Sequence, residues 1–153
     1  MAKGSFCSLH PIVPKATSPM RYLAIDHGTK RTGVAICDAD ETIASPLCVL
    51  RGHDSVIPQI AQIVAREDVG AIVVGLPINM DDSEGPQARI VTAFVKQLAV
   101  QVSVPIHLQD ERLTSFEAGE KLLSSGLSRA KKRDRLDAIA AAEILQDFLD
   151  QKR

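Results

Sequence analysis

The fold is decided by residues 22–37, YLAIDHGTKRTGVAIC, which predict two short strands joined by a tight turn. Apolar residues fill the segment before Asp26 and return after Thr32, so both strands are expected to be at least half buried. A carboxylate at the end of a buried strand is costly unless something pairs with it, and loop-facing strand ends often carry chemistry. Asp26 is therefore either a site residue or a cap of the hairpin turn, which is a common role for Asp. This stretch alone leaves both interpretations open.

Three further strands and four helices are predicted outside this hairpin. Residues 42–50 predict a third strand, which Pro46 confines to an edge or ends early. The other predicted strands span residues 70–75 and 104–109, and the predicted helices span 54–67, 87–101, 114–125 and 134–150. Short turns in the first half indicate an antiparallel meander, whereas alternating helices and strands in the second half call for parallel neighbours. The sequence therefore predicts an α/β fold whose five-stranded mixed sheet, three strands antiparallel and then two parallel, is flanked by helices.

Size and composition are those of an ordinary globular chain. With 153 residues, of which 45% are hydrophobic and 24% charged, one domain with a substantial core is expected. With a formal net charge of −1, the chain as a whole lacks the positive charge typical of nucleic-acid-binding proteins. Any binding of a nucleic acid must therefore come from local basic patches. No apolar run approaches the ~18 residues of a membrane span, which predicts no membrane partner. The three cysteines lack metal-ligand spacing, so reduced thiols in a cytoplasmic protein are expected.

The first nineteen residues differ from the rest of the chain. They contain three prolines, no acidic residue and no apolar periodicity, which predicts a disordered N-terminal extension. Met20 lies just before the first strand, so translation that begins there is an alternative. Residues 20–153 are expected to form a single domain.

Three acidic residues fall where acids are rare, at the ends of predicted buried elements. Asp26 ends the first strand, Glu111 follows the strand 104–109, and Asp137 projects from the apolar side of the last predicted helix. Asp134 points the same way one turn earlier, and either Asp could instead cap the helix start, where the macrodipole favours negative charge. Carboxylates that lie close together repel one another, and a bound divalent cation usually balances their negative charge. Oxygen ligands favour Mg²⁺ or Mn²⁺, and a pair of such ions can activate water for phosphodiester cleavage.

Basic side chains lie close to these acids in the sequence. Lys30 and Arg31 occupy the first turn, where they could contact substrate phosphates or keep an exposed turn soluble. Arg112 adjoins Glu111 and is either a salt-bridge partner or a phosphate ligand. Five more cations precede Asp137 within seven residues, which favours a surface that follows a phosphate backbone over a merely solvated face. They are Arg129, Lys131, Lys132, Arg133 and Arg135.

The other candidate residues give weaker signals. Asn79 and Ser83 could line the site from their loop, although organising the turn before the next helix is the more economical interpretation. One Tyr, four Phe and no Trp provide no evident platform on which unpaired bases could stack. Recognition of a nucleic acid would therefore depend on its backbone and shape.

Four motifs, in order, resemble the YqgF family across residues 20–150. They are DHGTKRTGVA at 26–35, GLPINM at 75–80 with SEGP at 83–86, DERLTS at 110–115, and DAIAA at 137–141 with ILQ at 144–146. Members of this family are described as pre-16S rRNA nucleases or Holliday-junction-resolvase-like proteins. The resemblance implies an RNase H-like fold, a divalent-metal nuclease site and a role in maturing the 5′ end of 16S rRNA during ribosome biogenesis. It also implies that Asp26, Glu111 and Asp137 are the metal-binding catalytic acids.

Two departures from the family pattern leave these acids in place. His27 stands where Phe or Tyr is more usual and could change the packing beside Asp26. Asp82 stands where Gly is frequent and could stiffen its loop. Asp134 lies outside the matched motifs and is a candidate fourth metal ligand.

Other functions compete with cleavage of structured RNA, whether free pre-rRNA or a ribosomal particle. A Holliday-junction resolvase would act on branched DNA and would need a dimer, but the sequence leaves the oligomeric state open. A non-catalytic nucleic-acid-binding module in transcription or ribosome assembly would gain nothing from buried acids that face phosphates. A sugar-kinase-like or actin-like ATPase is excluded, because that fold needs two such domains and a second phosphate loop.

Overall fold

The computed structural model describes residues 20–52, 54–77, 85–110 and 129–152. Five strands make up one sheet: β1 (Arg21–His27), β2 (Arg31–Cys37), β3 (Ala44–Arg51), β4 (Val69–Leu76) and β5 (Ile106–Asp110). Three helices lie in the described residues: α1 (Val56–Arg66), α2 (Pro86–Gln101) and α3 (Arg129–Lys152). The strand order is β3-β2-β1-β4-β5, so the predicted five-stranded sheet is confirmed.

The directions of the strands bring three strand ends to one edge of the sheet. β1 pairs antiparallel with β2, and β2 pairs antiparallel with β3. β4 pairs parallel with both β1 and β5. The carboxyl ends of β1, β4 and β5 therefore lie together, at His27, Leu76 and Asp110. The predicted arrangement of an antiparallel meander followed by parallel strands is confirmed.

Helices cover both faces of the sheet, which explains why β1 is apolar at consecutive positions from Tyr22 to Ile25. Leu23 and Ile25 of β1 belong to a core shared with α1 and α2. Tyr22 and Ala24 belong to a second core, shared with α3. Because successive strand side chains alternate between faces, Asp26 lies on the same face as Ala24, towards α3. The alternation places this acid on the side of the sheet that the last helix crosses.

The last helix begins earlier than the sequence suggested. The sequence predicts a helix that starts at Asp134, but α3 begins at Arg129. Ala, Lys and Arg are strong helix formers, and they extend the helix by more than a turn. Asp134 and Asp137 thus lie inside the helix, and the interpretation of either as its cap is wrong.

The other boundaries shift by one or two residues, and β3 is an edge strand, as Pro46 predicted. The pairing of β2 with β3 is irregular between Val34 and Ala35, whose partners are Cys48 and Pro46. The predicted extension 1–19 and the predicted helix 114–125 lie outside the described residues. In the part of the chain that the structure describes, no helix is both long and apolar enough to cross a membrane.

Candidate functional site

The site is built where β1 passes beneath α3. Asp26 is the penultimate residue of β1 and is paired with Gly33 on the neighbouring strand. A Cβ atom built on Gly33 would lie 1.9 Å from the backbone carbonyl oxygen of Asp137. Only glycine, which lacks this atom, permits such a close approach of helix and sheet.

This contact brings two of the three predicted acids together. Adjacent strands lie ~4.8 Å apart, so the backbone of Asp137 is within roughly 10 Å of that of Asp26. Asp26 faces α3 because of the strand alternation described above. The structure therefore brings the backbones of the first and last predicted acids to within roughly 10 Å of each other, although they are 111 positions apart in the sequence.

A cation from β2 binds the acid on α3. The Nε atom of Arg31 donates to Oδ2 of Asp137 at 2.5 Å, and the two side chains are only 27% and 29% exposed. The hydrogen bond to Asp137, together with its negative charge, raises the pKa of Arg31 above its usual value. Arg31, which the sequence suggested as a phosphate contact, thus has a carboxylate partner in this structure.

A second ion pair lies one helical turn away. Asp134 accepts a hydrogen bond from Nη2 of Arg51, the last residue of β3. Arg51 in turn is paired across the sheet with Arg31. Asp134, the candidate fourth metal ligand, is therefore engaged with a strand arginine rather than with the other acids.

These ion pairs border an open basic cleft of about 290 Å³. Five residues line it, four of them cationic: Lys30, Arg31, Arg51, Arg133 and Asp134. Arg51 is the member that the sequence analysis missed. Its position opposite Arg31 depends on the irregular pairing between β2 and β3, and no local sequence signal marks that register.

The remaining basic residues of α3 separate into different surroundings. Arg135 lines another groove, of about 460 Å³, which lies between β3 and α3 and is mostly apolar. Lys131 is exposed and Lys132 is half-buried on the first turns of the helix. Arg133 and Arg135 thus line two different cavities, which adjoin at Asp134.

Several predicted residues lie outside the described part of the chain: Glu111, Arg112, Asn79, Ser83 and the side chain of Arg129. Glu111 follows directly on Asp110, the last residue of β5. Among residues 20–52, 54–77, 85–110 and 129–152, no group of three or more His, Cys, Asp or Glu side chains is placed to hold a metal ion. Of the three predicted acids, the described residues include Asp26 and Asp137.

His27 has a packing role on the opposite face. Its ring stacks on that of Phe94, with centroids 3.9 Å apart and planes inclined by 12°. Its Nδ1 atom is hydrogen-bonded to the hydroxyl of the buried Thr32 at 3.1 Å, and its carbonyl accepts from Gln87. These contacts to β2 and α2 hold the end of β1 in place beside Asp26.

Comparison with known proteins gives consistent results along the whole domain. Residues 20–151 match the model of the RuvX family, described as Holliday junction resolvase. The chain is 44% identical over 133 residues to a protein of Chloroflexus aurantiacus named "Putative pre-16S rRNA nuclease", covering 86% of this chain and 87% of the relative. A protein of the same name from Anaeromyxobacter sp. is 46% identical, with 86% and 97% covered.

The solved structures support the fold. RuvC from T. thermophilus in complex with a Holliday junction substrate superposes with a TM-score of 0.57 at 13% identity, covering 87% of this chain and 95% of that one. A second Thermus thermophilus RuvC structure gives a TM-score of 0.52. At this identity the likeness concerns the fold alone, and the predicted RNase H-like class is confirmed.

Proposed function

Because the chain belongs to the RuvX family, also called YqgF, we propose that it is a divalent-metal-dependent nuclease that processes the 5′ end of pre-16S rRNA. The predicted family is thus confirmed, and the named relatives support the substrate. The observation that carries the proposal is the contact of Gly33 with Asp137, which brings two acids together at the edge where β1, β4 and β5 end. Buried or half-buried acids gathered at such an edge suit the binding of a hard cation.

Three carboxylates would hold the ion, either Mg²⁺ or Mn²⁺. They are those of Asp26, Asp137 and Glu111, the last of which follows the end of β5 directly in the sequence. When bound, such a metal supplies an activated water and charge stabilisation for in-line cleavage of a phosphodiester. Asp134, one helical turn before Asp137, has a different role in this proposal, because its carboxylate is paired with Arg51 of β3.

The side chains around the acids would position the substrate. Lys30, Arg31 and Arg133 line the basic cleft and could neutralise backbone phosphates. Other cations of α3, together with Arg112, would extend this contact: Arg129, Lys131, Lys132 and Arg135. Asn79 and Ser83 would border the acids from the loop before α2. Such contacts suit a structured RNA in the cytoplasm, since they depend on backbone and shape rather than on base stacking.

Arg31 has a further role before any metal binds. Two nearby carboxylates repel each other, and its guanidinium offsets the charge of Asp137 at hydrogen-bond distance. The pair keeps the helix acid pointed at the strand that carries Gly33. The acids can thus be assembled by folding alone, without a metal.

The test is cleavage of a pre-16S 5′ fragment by the purified chain in Mg²⁺ or Mn²⁺. Asp26→Asn and Asp137→Asn should each abolish cutting, since an amide is a poor ligand for these ions. Asp40→Asn is the matched control, because this exposed acid lies in the turn after β2, at the other end of the strand from Arg31. Cutting by Asp26→Asn at the wild-type rate would contradict the proposal.

A Holliday-junction resolvase is the second candidate, favoured by the description of the matching family. A four-way DNA junction used as competitor against the RNA separates the two. Resolution would appear as paired symmetric cuts made by a dimer. If Asp137→Asn restores wild-type growth in cells that lack the chain, a non-catalytic binding role is favoured over both.

A further inference from the structure

Two arginines stand directly opposite each other on neighbouring strands. Arg31 of β2 and Arg51 of β3 are a cross-strand pair on the face that α3 covers. Like charges in this arrangement destabilise a sheet unless something balances them. Here each arginine is balanced by one acid of α3, Asp137 for Arg31 and Asp134 for Arg51. Two strand cations and two helix anions therefore form one four-charge network.

The network leaves hydrogen-bond donors available on the solvent side. A guanidinium carries five N–H donors, of which Asp137 engages the Nε donor of Arg31. The side chain of Arg51 is 54% exposed, and only its Nη2 atom reaches Asp134. Both arginines line the basic cleft, where Lys30 and Arg133 add positive charge. Because four cationic side chains and one carboxylate line the cleft, it favours an anionic ligand.

We propose that Arg31 and Arg51 together form a subsite for one backbone phosphate of a nucleic acid, with Asp134 holding Arg51 in place. Arginine forks suit phosphate because they bind its oxygens in a fixed geometry. Arg31 lies two residues before Gly33 on β2, so the subsite is roughly 7 Å along the strand from the position where Asp26 and Asp137 approach Gly33. The ligand class rests on the proposed function, and the subsite would hold a phosphate next to the one that is cut.

The distinctive member is Arg51, because nothing in the nuclease motifs includes it. Its cleft adjoins the larger groove between β3 and α3 at Asp134, but the lining of that groove is mostly apolar and suits a phosphate less well. Arg66 provides a matched comparison, since it too is an exposed arginine ion-paired with one acid, Glu67. It precedes β4, whose start pairs with the beginning of β1, so it lies at the end of the sheet remote from Asp26.

The experiment measures binding without cleavage. A short fluorescein-labelled single-stranded RNA is titrated with the full chain in EDTA, over a series of KCl concentrations. For Arg51→Gln we expect about tenfold weaker binding and a logarithmic salt slope lower by about 0.7, the contribution of one phosphate contact. Arg51→Lys, which keeps the charge, should keep the slope, and Arg66→Gln should match the wild type in both.

Each outcome decides the matter. An unchanged slope and affinity in Arg51→Gln, or an equal loss in Arg66→Gln, overturns the subsite, as does a wild-type chain that binds no RNA. Circular dichroism of the same samples shows whether Arg51→Gln is folded. If it is not, Arg31→Gln, which removes the other arginine of the subsite and should also weaken binding and lower the slope, carries the test. A reduced slope in a chain that never cuts pre-16S RNA would support the subsite and overturn only the nuclease.

Discussion

The two faces of the sheet are built from side chains of different size, and the difference has a functional consequence. The face towards α1 and α2 is filled by large aliphatic groups such as Leu23, Ile72 and Leu98. The face towards α3 contains more alanines, among them Ala24 on the sheet and Ala141 on the helix, whereas the first face has only Ala88 among its buried core residues. Large residues bury more area and so stabilise more, whereas small ones allow a helix to approach the strands closely. We infer that one face holds the fold together and the other positions charged groups.

Truncation on the bulky face should have the largest effect on stability. Leu98→Ala removes a fully buried side chain and should lower the free energy of unfolding by about 4 kcal/mol, because it leaves a cavity. Ala141→Gly, the matched truncation on the other face, should cost only about 1 kcal/mol. Urea denaturation measures both. The rate of RNA cleavage per folded molecule should stay at the wild-type value in Leu98→Ala.

If Ala141→Gly destabilised the chain as much as Leu98→Ala, the two faces would not differ in the way proposed. Loss of cleavage by folded Leu98→Ala would show that the bulky face also determines the site geometry.

A single methyl group at Gly33 should damage the other face. In Gly33→Ala the new Cβ would lie 1.9 Å from a backbone carbonyl oxygen of α3, so the helix must move. We expect a loss of about 3 kcal/mol in unfolding free energy, at the upper end of the overpacking range, together with loss of RNA cleavage. Gly70→Ala is the control, since its Cβ would meet only the side chain of Met20, at 3.0 Å.

Because a shift of Met20 by a few tenths of an ångström would relieve this contact, Gly70→Ala should cost less than Gly33→Ala and retain cleavage. A Gly33→Ala variant with wild-type stability and cleavage would show that the close contact does not position Asp137.

Sequence patterns predicted the bulky face better than the charged one. The apolar runs around Asp26 and in β4 indicate buried strands by composition alone, and the order of helices and strands then determines the sheet topology. The same apolar patterns singled out Asp26 and Asp137, because each is an acid at a position that the pattern predicts to be buried. The roles of Arg51 and Asp134 escaped prediction because they depend on a cross-strand register and on where α3 begins. An Asp at a predicted helix start resembles a cap. The structure shows otherwise, because the helix begins before Asp134 and the carboxylate of Asp134 is paired with Arg51 of β3.

Removing Arg31 should change metal binding rather than stability. Its guanidinium competes with any cation for the carboxylate of Asp137, so Arg31→Gln should bind Mn²⁺ about threefold more tightly, as expected for loss of a partly exposed ion pair. Isothermal titration calorimetry with Mn²⁺ alone measures this effect, with Arg66→Gln as the control. The same variant should bind RNA more weakly in EDTA.

Weaker Mn²⁺ binding by Arg31→Gln would contradict this prediction and indicate that the orientation of Asp137 by Arg31 outweighs its competition with the cation. Equal affinities for the wild type and the variant would indicate that Asp137 is not a ligand.

The smallest expected effect concerns the far end of β2, where the acid Asp38 has hydrogen-bond donors rather than an arginine. The hydroxyl and backbone N–H of Thr42 and the backbone N–H of Ile43 lower the pKa of Asp38 to about 2. Its folded pKa lies below the unfolded value near 3.8, so its stabilising contribution is complete above pH 3.8 and is lost as the pH falls towards 2. In Asp38→Asn, unfolding free energies measured between pH 2 and 4 should therefore fall less steeply with acid than in the wild type, by a small amount because the group is exposed. Asp40→Asn should leave the slope of unfolding free energy against pH unchanged. If Asp38→Asn had the same slope as the wild type, the hydrogen bonds of this turn would not stabilise the ionised carboxylate of Asp38 in solution.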